Sequence, residues 1–428
     1  MTLFKQCCQV LDDNWLGTFS VPSRGLYPFL WNWDSGFHAL GWLHHRPERA
    51  LIEMETLFSA QWKNGMLPHI LFFDYEKYDT YFPSADYWQS SVSSQANQTV
   101  PSSGITQPPI HGIVLEKMYQ SGLDRSRIKT LTKKAIGYHE YLQAERSHAE
   151  SGLLFVVHNW ESGLDNSVIW DETFARISPT EYSNITFQRK DVHQVQNSTE
   201  TRPTDQDYKR YLYLLKLLQQ NQFGRPKTGY PFLILEPVFN SIYLISGRSL
   251  IRLGTALGIE TDSIKAQVSK IESSFDQWLW DDNAQFYYPY DLHASRQIRK
   301  AYFGNIFPIA AQLPDKELVG KMIERYSGPD LTPIPSVLPS EKGFEEKKYW
   351  RGPVWININW MMIQGFLDYD MPDKASWLKE ESINLVKKMG LYEYFTPYRS
   401  ISSGGGYGGK DFSWTSALIM DLIKDNRI

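Results

Sequence analysis

Apolar residues recur at helical spacing along most of the chain, interrupted by aromatic connections rich in Gly and Pro. A short helix is expected around Phe4–Asn14. Another begins at Ser35, with Phe37, Leu40 and Gly41 on one face. A third opens at Pro47, where Leu51, Met54, Leu57 and Phe58 keep the period. Gln107-Pro108-Pro109 starts the next, carrying Ile113, Leu115, Met118 and Tyr119, since proline is tolerated in a first turn. A long amphipathic helix follows over 124–148. The pattern then predicts helices over 204–222, 235–258, 260–279, 315–327, 354–369, 372–390 and 412–424. Strand-like pieces are few: Leu153–Val157, and Phe286–Tyr290 after the turn signal Asp281-Asp282-Asn283. Residues 63–106 read mostly as loop, and loops this long in a compact domain are usually functional or mobile.

About a dozen helices joined by alternating short and long links suggest α-hairpins packed in a ring, with the long loops gathered at one end. The expected fold is all-α, one catalytic domain over 1–428. No low-complexity linker divides it. The polar segment 189–204 reads as part of a loop and helical insertion around 178–230.

Composition narrows the function. The 428 residues carry a net charge of -4 and no long basic block, which argues against a nucleic-acid partner. The 15 Trp, 25 Tyr and 22 Phe can fill a core, or serve as platforms on which the apolar face of a sugar ring packs. Cys7 and Cys8 are neighbours and cannot staple distant segments, so no oxidising compartment is needed. The N-terminus lacks a basic region followed by an apolar run, and no apolar stretch approaches the roughly 18 residues of a membrane span. A cytoplasmic protein without a membrane partner is expected; a homo-oligomer stays open.

Four stretches carry chemistry. In Trp160-Glu161-Ser162-Gly163-Leu164-Asp165-Asn166-Ser167, Gly163 permits a tight turn before Asp165. That acid reads either as an Asx-turn or N-cap ahead of a helix at Val168, or as a catalytic proton donor. Asp171 looks like a first-turn acid. In Leu30-Trp31-Asn32-Trp33-Asp34, two Trp lead into a carboxylate that either caps a helix or accepts hydrogen bonds from vicinal sugar hydroxyls. Tyr349-Trp350-Arg351-Gly352-Pro353-Val354-Trp355 reads as a packed loop with Arg351 in a surface pair, or as an aromatic wall with a cation for substrate. In Tyr392-Glu393-Tyr394-Phe395 an acid sits between aromatics ahead of a Ser/Gly-rich run, 400–409. That run is no phosphate loop, because Lys410 is followed by Asp411. A flexible flap suits its glycines. Acids embedded in aromatics match glycoside hydrolysis, which needs two carboxyl groups flanking the bond.

These residues resemble the (α/α)6-barrel glycosidases of glycoside hydrolase family 63, particularly its small mannosylglycerate and glucosylglycerate hydrolases, and in shape the trehalases. The resemblance spans nearly the whole chain, through LWNWDSGF (30–37), GMLPH (65–69), ITQPP (105–109), NWESGLDNS (159–167), RPTDQDYKRYL (202–212), YWRGPVW (349–355), YEYFTPY (392–398) and GGKDFSWTSAL (408–418). It implies Asp165 as general acid and Glu393 as general base, with inversion. It implies Asp34 as the acid holding the sugar in the -1 subsite, with Trp31 and Tyr27 nearby, and Gln107 as a substrate contact. Arg202 and Tyr208 would bind a glycerate carboxylate, helped by Tyr349, Trp350 and Trp355; an Arg fork fits a carboxylate. Asp165 is then expected to be protonated, raised by low polarity and by Glu393, while Glu393 is ionised. Inversion sets their carboxyl separation at roughly 6.5–9.5 Å. The chemistry requires no metal or cofactor. One departure is the Glu393–Gly409 loop, longer and richer in Ser and Gly (SISSGGG, 400–406) than the family pattern, which leaves the aglycone open. The rival readings are a hydrolase of a neutral α-glucoside such as glucosylglycerol or a disaccharide, a noncatalytic sugar-binding barrel, and an isomerase or epimerase working through a histidine pair.

Overall fold

The computed structural model describes every residue except 78–80, 190–197 and 402–403. Its long helices, in chain order, are α1 (Leu3–Asn14), α2 (Asn32–Trp42), α3 (Pro47–Ser59), α4 (His111–Gln120), α5 (Arg125–Arg146) and α6 (Asp205–Gln220), then α7 (Pro237–Leu257), α8 (Asp262–Leu279), α9 (Lys316–Tyr326), α10 (Ile356–Asp368), α11 (Pro372–Met389) and α12 (Ser413–Lys424). Their starts follow local chemistry. Thr2 accepts the Lys5 N–H, Asp124 accepts the Arg127 N–H, and α6 opens with a reciprocal capping box between Thr204 and Asp207. Proline occupies the first turn of α3, α7 and α11.

Six elements form an inner ring: α2, α4, α7, the 3-10 helix Phe307–Ala311, α10 and α12. Each packs on the next, and α12 closes on α2. Outer helices lie against them, α1 on α12, α3 on α2, α5 on α4 and α7, α8 on α7, and α11 on α10. Inner and outer members alternate along the chain, which makes the fold an (α/α)6 barrel. Every residue of α2 is buried, the polar Asn32, Asp34, Ser35 and His38 included. Ring closure is tight: a Cβ at Gly41 would stand 2.5 Å from Ala417 of α12. One inner position was not foreseen, because Phe307–Ala311 is too short and too tightly wound to show a 3.6-residue period.

Short antiparallel pairs tie the loops together. Leu30–Trp31 pairs with Ile70–Leu71, and Tyr392–Phe395 with Gly406–Lys410. A four-stranded sheet orders Phe155–Val156, Ile234–Leu235, Tyr290–Asp291 and Arg296–Gln297. The strand expected over Phe286–Tyr290 is two strands: Phe286–Tyr287 pairs with Trp280–Asp281, while Tyr290–Asp291 joins the larger sheet. The long loop 63–106 contains a short helix, Ala85–Trp88. The insertion around 178–230 supplies α6 and two four-residue helices, Pro179–Tyr182 and Ser198–Thr201, and part of its polar stretch lies outside the described residues. Among the described residues, no helix is long and apolar enough to cross a membrane.

Candidate active site

The turn that carries Asp165 is braced from several sides. Gly163 adopts φ +76, and a Cβ there would stand 2.7 Å from the Trp33 ring, so both backbone and packing require glycine. The Leu164 carbonyl accepts the Trp170 indole N–H at 2.7 Å, and the Asp165 carbonyl accepts the Asn159 amide at 2.7 Å. Glu161 lies four residues before Asp165, yet it faces the core. It is fully buried against Arg146 of α5, with both oxygens 3.1 Å from Nε, and it also accepts the Val157 N–H. Asp165 caps no helix: the residue before the 3-10 turn Val168–Trp170 is Ser167. Its carboxyl opens into a cavity instead.

Glu393 enters the same cavity from the strand Tyr392–Phe395. Its carboxylate accepts the Tyr27 hydroxyl and the Gly409 N–H, each at 2.9 Å. Gly408 has φ +73, and a Cβ there would fall 2.2 Å from Glu393 Oε2. The glycines expected to form a flap are thus, over Gly406–Lys410, a paired strand that lets the backbone approach a buried carboxylate. The 402–403 part of that run lies outside the described residues.

Asp34 stands in the first turn of α2 and is buried. Gln107 Oε1 accepts the Trp33 N–H at 3.2 Å, tying the segment before α4 to the start of α2. Arg202 lies against two rings, its guanidinium carbon 4.7 Å from the Tyr349 centroid and 5.6 Å from that of Tyr27. Tyr208, one turn into α6, packs beside Trp160 and under Arg189. The cavity is lined by Tyr27, Trp31, Asp34, Gln107, Asp165, Arg202, Tyr208, Tyr349, Trp350 and Glu393. Trp355 is the expected contact that stands back from it. It stacks 4.0 Å behind Trp350, nearly parallel, and donates its indole N–H to the Tyr349 carbonyl.

Three carboxyl groups therefore face one guanidinium among the described lining residues. Burial pushes Asp165 up to about 7; Arg202 pulls it down and Glu393 pushes it up. Glu393 is also raised by burial, against the opposing pull of Arg202 and its hydrogen-bond donors. Burial, then Glu393, hold Asp34 well above the ordinary carboxylate range. Burial and neighbouring His158 hold His69 well below its usual value, so it faces the cavity as a neutral ring with Nδ1 at 2.8 Å from Ser103.

Of the two readings of Arg351, the ion pair in a packed loop is the one the structure shows, and the reach toward substrate is not. Arg351 forms a two-pronged pair with Asp171, at 2.9 and 2.8 Å, and approaches Glu345 at 3.2 Å. Asp171 is a first-turn acid of Asp171–Ala175, as read from sequence, with this second role added. Further aromatic lining residues include Trp33, His69, Tyr81, Trp160, Phe412 and Trp414. Of these six, all but Tyr81 fall inside the sequence stretches that carry the family resemblance, which was the available signal. A histidine pair is not gathered here. His69 is the lone histidine lining the cavity among the described residues, while His44 pairs with Asp421 and His45 with Asp12.

A family model described as a mannosylglycerate hydrolase MGH1-like glycoside hydrolase domain matches residues 27–415. The chain is 38% identical over 424 residues to a mannosylglycerate hydrolase of Thermus thermophilus, covering 96% of this chain and 98% of that one. It is 29% identical over 453 residues to a glucosylglycerate hydrolase of Mycolicibacterium hassiacum, covering 98% and 97%. The crystal structure of a family 63 mannosylglycerate hydrolase from Thermus thermophilus, in complex with Tris and D-glycerate, superposes with a TM-score of 0.90 at 35% identity, over 99% of this chain and 100% of that chain.

Proposed function

We propose that this chain, which belongs to the MGH1-like family of glycoside hydrolases, hydrolyses mannosylglycerate, glucosylglycerate or both, with inversion. The observation that carries the reading is the electrostatic inequality of two acids in one aromatic cavity. Asp165 is held near pH 7 by burial and by Glu393, with no ion pair to it among the described residues. Glu393 accepts two fixed hydrogen bonds that favour its charged form. Such a pair suits one acid and one base.

In this mechanism Asp165 gives its proton to the glycosidic oxygen as the bond to the anomeric carbon breaks. Glu393 takes a proton from a water that attacks that carbon from the opposite face. The products are the free sugar, with its anomeric configuration inverted, and glycerate. Asp34 accepts hydrogen bonds from sugar hydroxyls in the -1 subsite, with Trp31 and Tyr27 beside it and Gln107 as a further contact. Arg202 holds the glycerate carboxylate, assisted by Tyr208, Tyr349 and Trp350. Trp355 acts from behind, by fixing the Trp350 plane and the Tyr349 carbonyl. A charged aglycone is favoured over a neutral one because Arg202 is a buried cation already at the cavity wall. The adjacent free Cys7 and Cys8 fit a reducing, cytoplasmic setting.

The test is hydrolysis of glucosylglycerate, mannosylglycerate, glucosylglycerol and trehalose by the natural chain and by Asp165→Asn, following the released anomer by NMR. Initial β-anomer from an α-glycerate glycoside, lost in the variant, is the expected outcome. Initial α-anomer refutes inversion. Release from the neutral glycosides alone refutes the glycerate assignment.

A further inference from the structure

The Asp165 turn and the Tyr349–Trp350 wall are 184 positions apart in the chain, yet one residue joins them. Asn166 Oδ1 accepts the Trp350 N–H at 2.9 Å, and the Asn166 carbonyl accepts an Arg351 N–H at 3.2 Å. Arg351 is itself pinned, by its two bonds to Asp171 and by a third to the Gly343 carbonyl at 3.1 Å. A second observation marks the same place. Tyr349 has φ +43, a left-handed conformation that is unusual for a bulky residue and persists only where its surroundings over-determine it. The fixed groups around it are the Trp350 N–H, held by Asn166, and its own carbonyl, held by Trp355 at 3.2 Å.

We infer that Asn166 and Arg351 are positioning residues for proton transfer, clamping the Asp165 turn to the strained Tyr349–Trp350 wall so that the acid meets the leaving oxygen. The inference rests on the assignment of Asp165 as general acid. Neither side chain touches the sugar in this scheme. Asn166 is buried beside Asp165, and Arg351 is committed to Asp171 and backbone carbonyls. Their effect is geometric: proton donation requires hydrogen-bond reach of the leaving atom, and small misplacements are costly. Glycine at 163 and the Asn159 amide fix the turn from the N-terminal side, so the Asn166 contacts supply the restraint from the other.

A general acid matters in proportion to how poorly the leaving group departs unaided. The glycerate alkoxide needs the proton, whereas fluoride leaves with little assistance. The experiment compares the glycerate glycoside with the α-glycosyl fluoride of the same sugar, in the natural enzyme, Asn166→Ala, Arg351→Lys and Asp165→Asn. Arg351→Lys keeps a charge opposite Asp171 but loses the fork, so it is the milder change. Both clamp variants are expected to lose roughly ten- to hundredfold in kcat on the glycerate glycoside, a share of the 10²–10⁴ that general acid catalysis supplies. Their turnover of the fluoride should stay within about threefold, which also reports an intact site. Equal losses on both substrates, or no loss on either, overturn the inference. Asp165→Asn tests the underlying assignment separately. If it slows both substrates alike, the general-acid role itself fails; if it spares the fluoride while the clamp variants do not, only the clamp fails.

Discussion

Asp165 should cost the protein stability at neutral and alkaline pH, and Asp165→Asn should return it. The side chain titrates near 3.8 in an unfolded chain and at about 7 in the fold, where burial dominates. Because the folded value is the raised one, the native state binds more protons than the unfolded state across that window. Stability from this group is therefore present below about pH 4 and declines as pH rises through about 7. The span corresponds to a ceiling of about 4 kcal/mol, at 1.36 kcal/mol per decade of proton affinity. The carboxyl borders an open cavity, and water there screens part of this, so a gain of about 2–4 kcal/mol for the neutral amide is expected at pH 8. A chain of 428 residues unfolds with an entropy near 0.9 kcal/mol per kelvin, which makes the gain about 2–4 °C in Tm. At pH 4.5 natural and variant chains should melt within about 1 °C of each other. The assay is paired calorimetry at several pH values, with denaturant midpoints as a check. An Asn variant that is no more stable at pH 8, or whose advantage does not shrink as the pH falls, refutes the burial argument for Asp165.

The same electrostatics set the activity profile: kcat/KM should fall above about pH 7 as Asp165 ionises. Arg202 pulls that carboxyl down, so Arg202→Gln should move the alkaline limb to higher pH while raising KM for a charged aglycone; a limb that moves lower contradicts the assignment. Gly408→Ala places a methyl 2.2 Å from Glu393 Oε2 at a left-handed φ. Turnover should drop about 100-fold through misplacement of the base, against a stability loss of only about 1–2 kcal/mol in denaturant titrations. Glu161→Gln leaves Arg146 as a buried charge without its partner and should lower stability by about 3–5 kcal/mol, seen as a fall of about 3–5 °C in calorimetry.

Helical period and proline starts made most of the barrel legible, and the ends of α7, α8 and α11 fall within about two residues of where the pattern puts them. The ring itself was less legible, since its closure depends on α12 meeting α2 and on one inner member that is a single short 3-10 helix. Over Gly406–Lys410 the structure has a paired strand in place of the expected flap, for a physical reason. Glycine weakens strands and normally marks flexibility, but here absent side chains make room for a carboxylate delivered by the facing strand. Glu161 and Asp165 lie four residues apart in the same motif, yet only one of them opens into the cavity. What separates them arrives from elsewhere in the chain. Arg146, on α5, neutralises Glu161 and turns it into a structural anchor. Asp165 makes no close ion pair among the described residues; burial and Glu393 outweigh the pull of Arg202 across the cavity and favour its protonated form. On the proposed assignment an acid becomes a proton donor because its nearest cation stands across a cavity and not in a close pair, and that difference has no signature in the residues on either side.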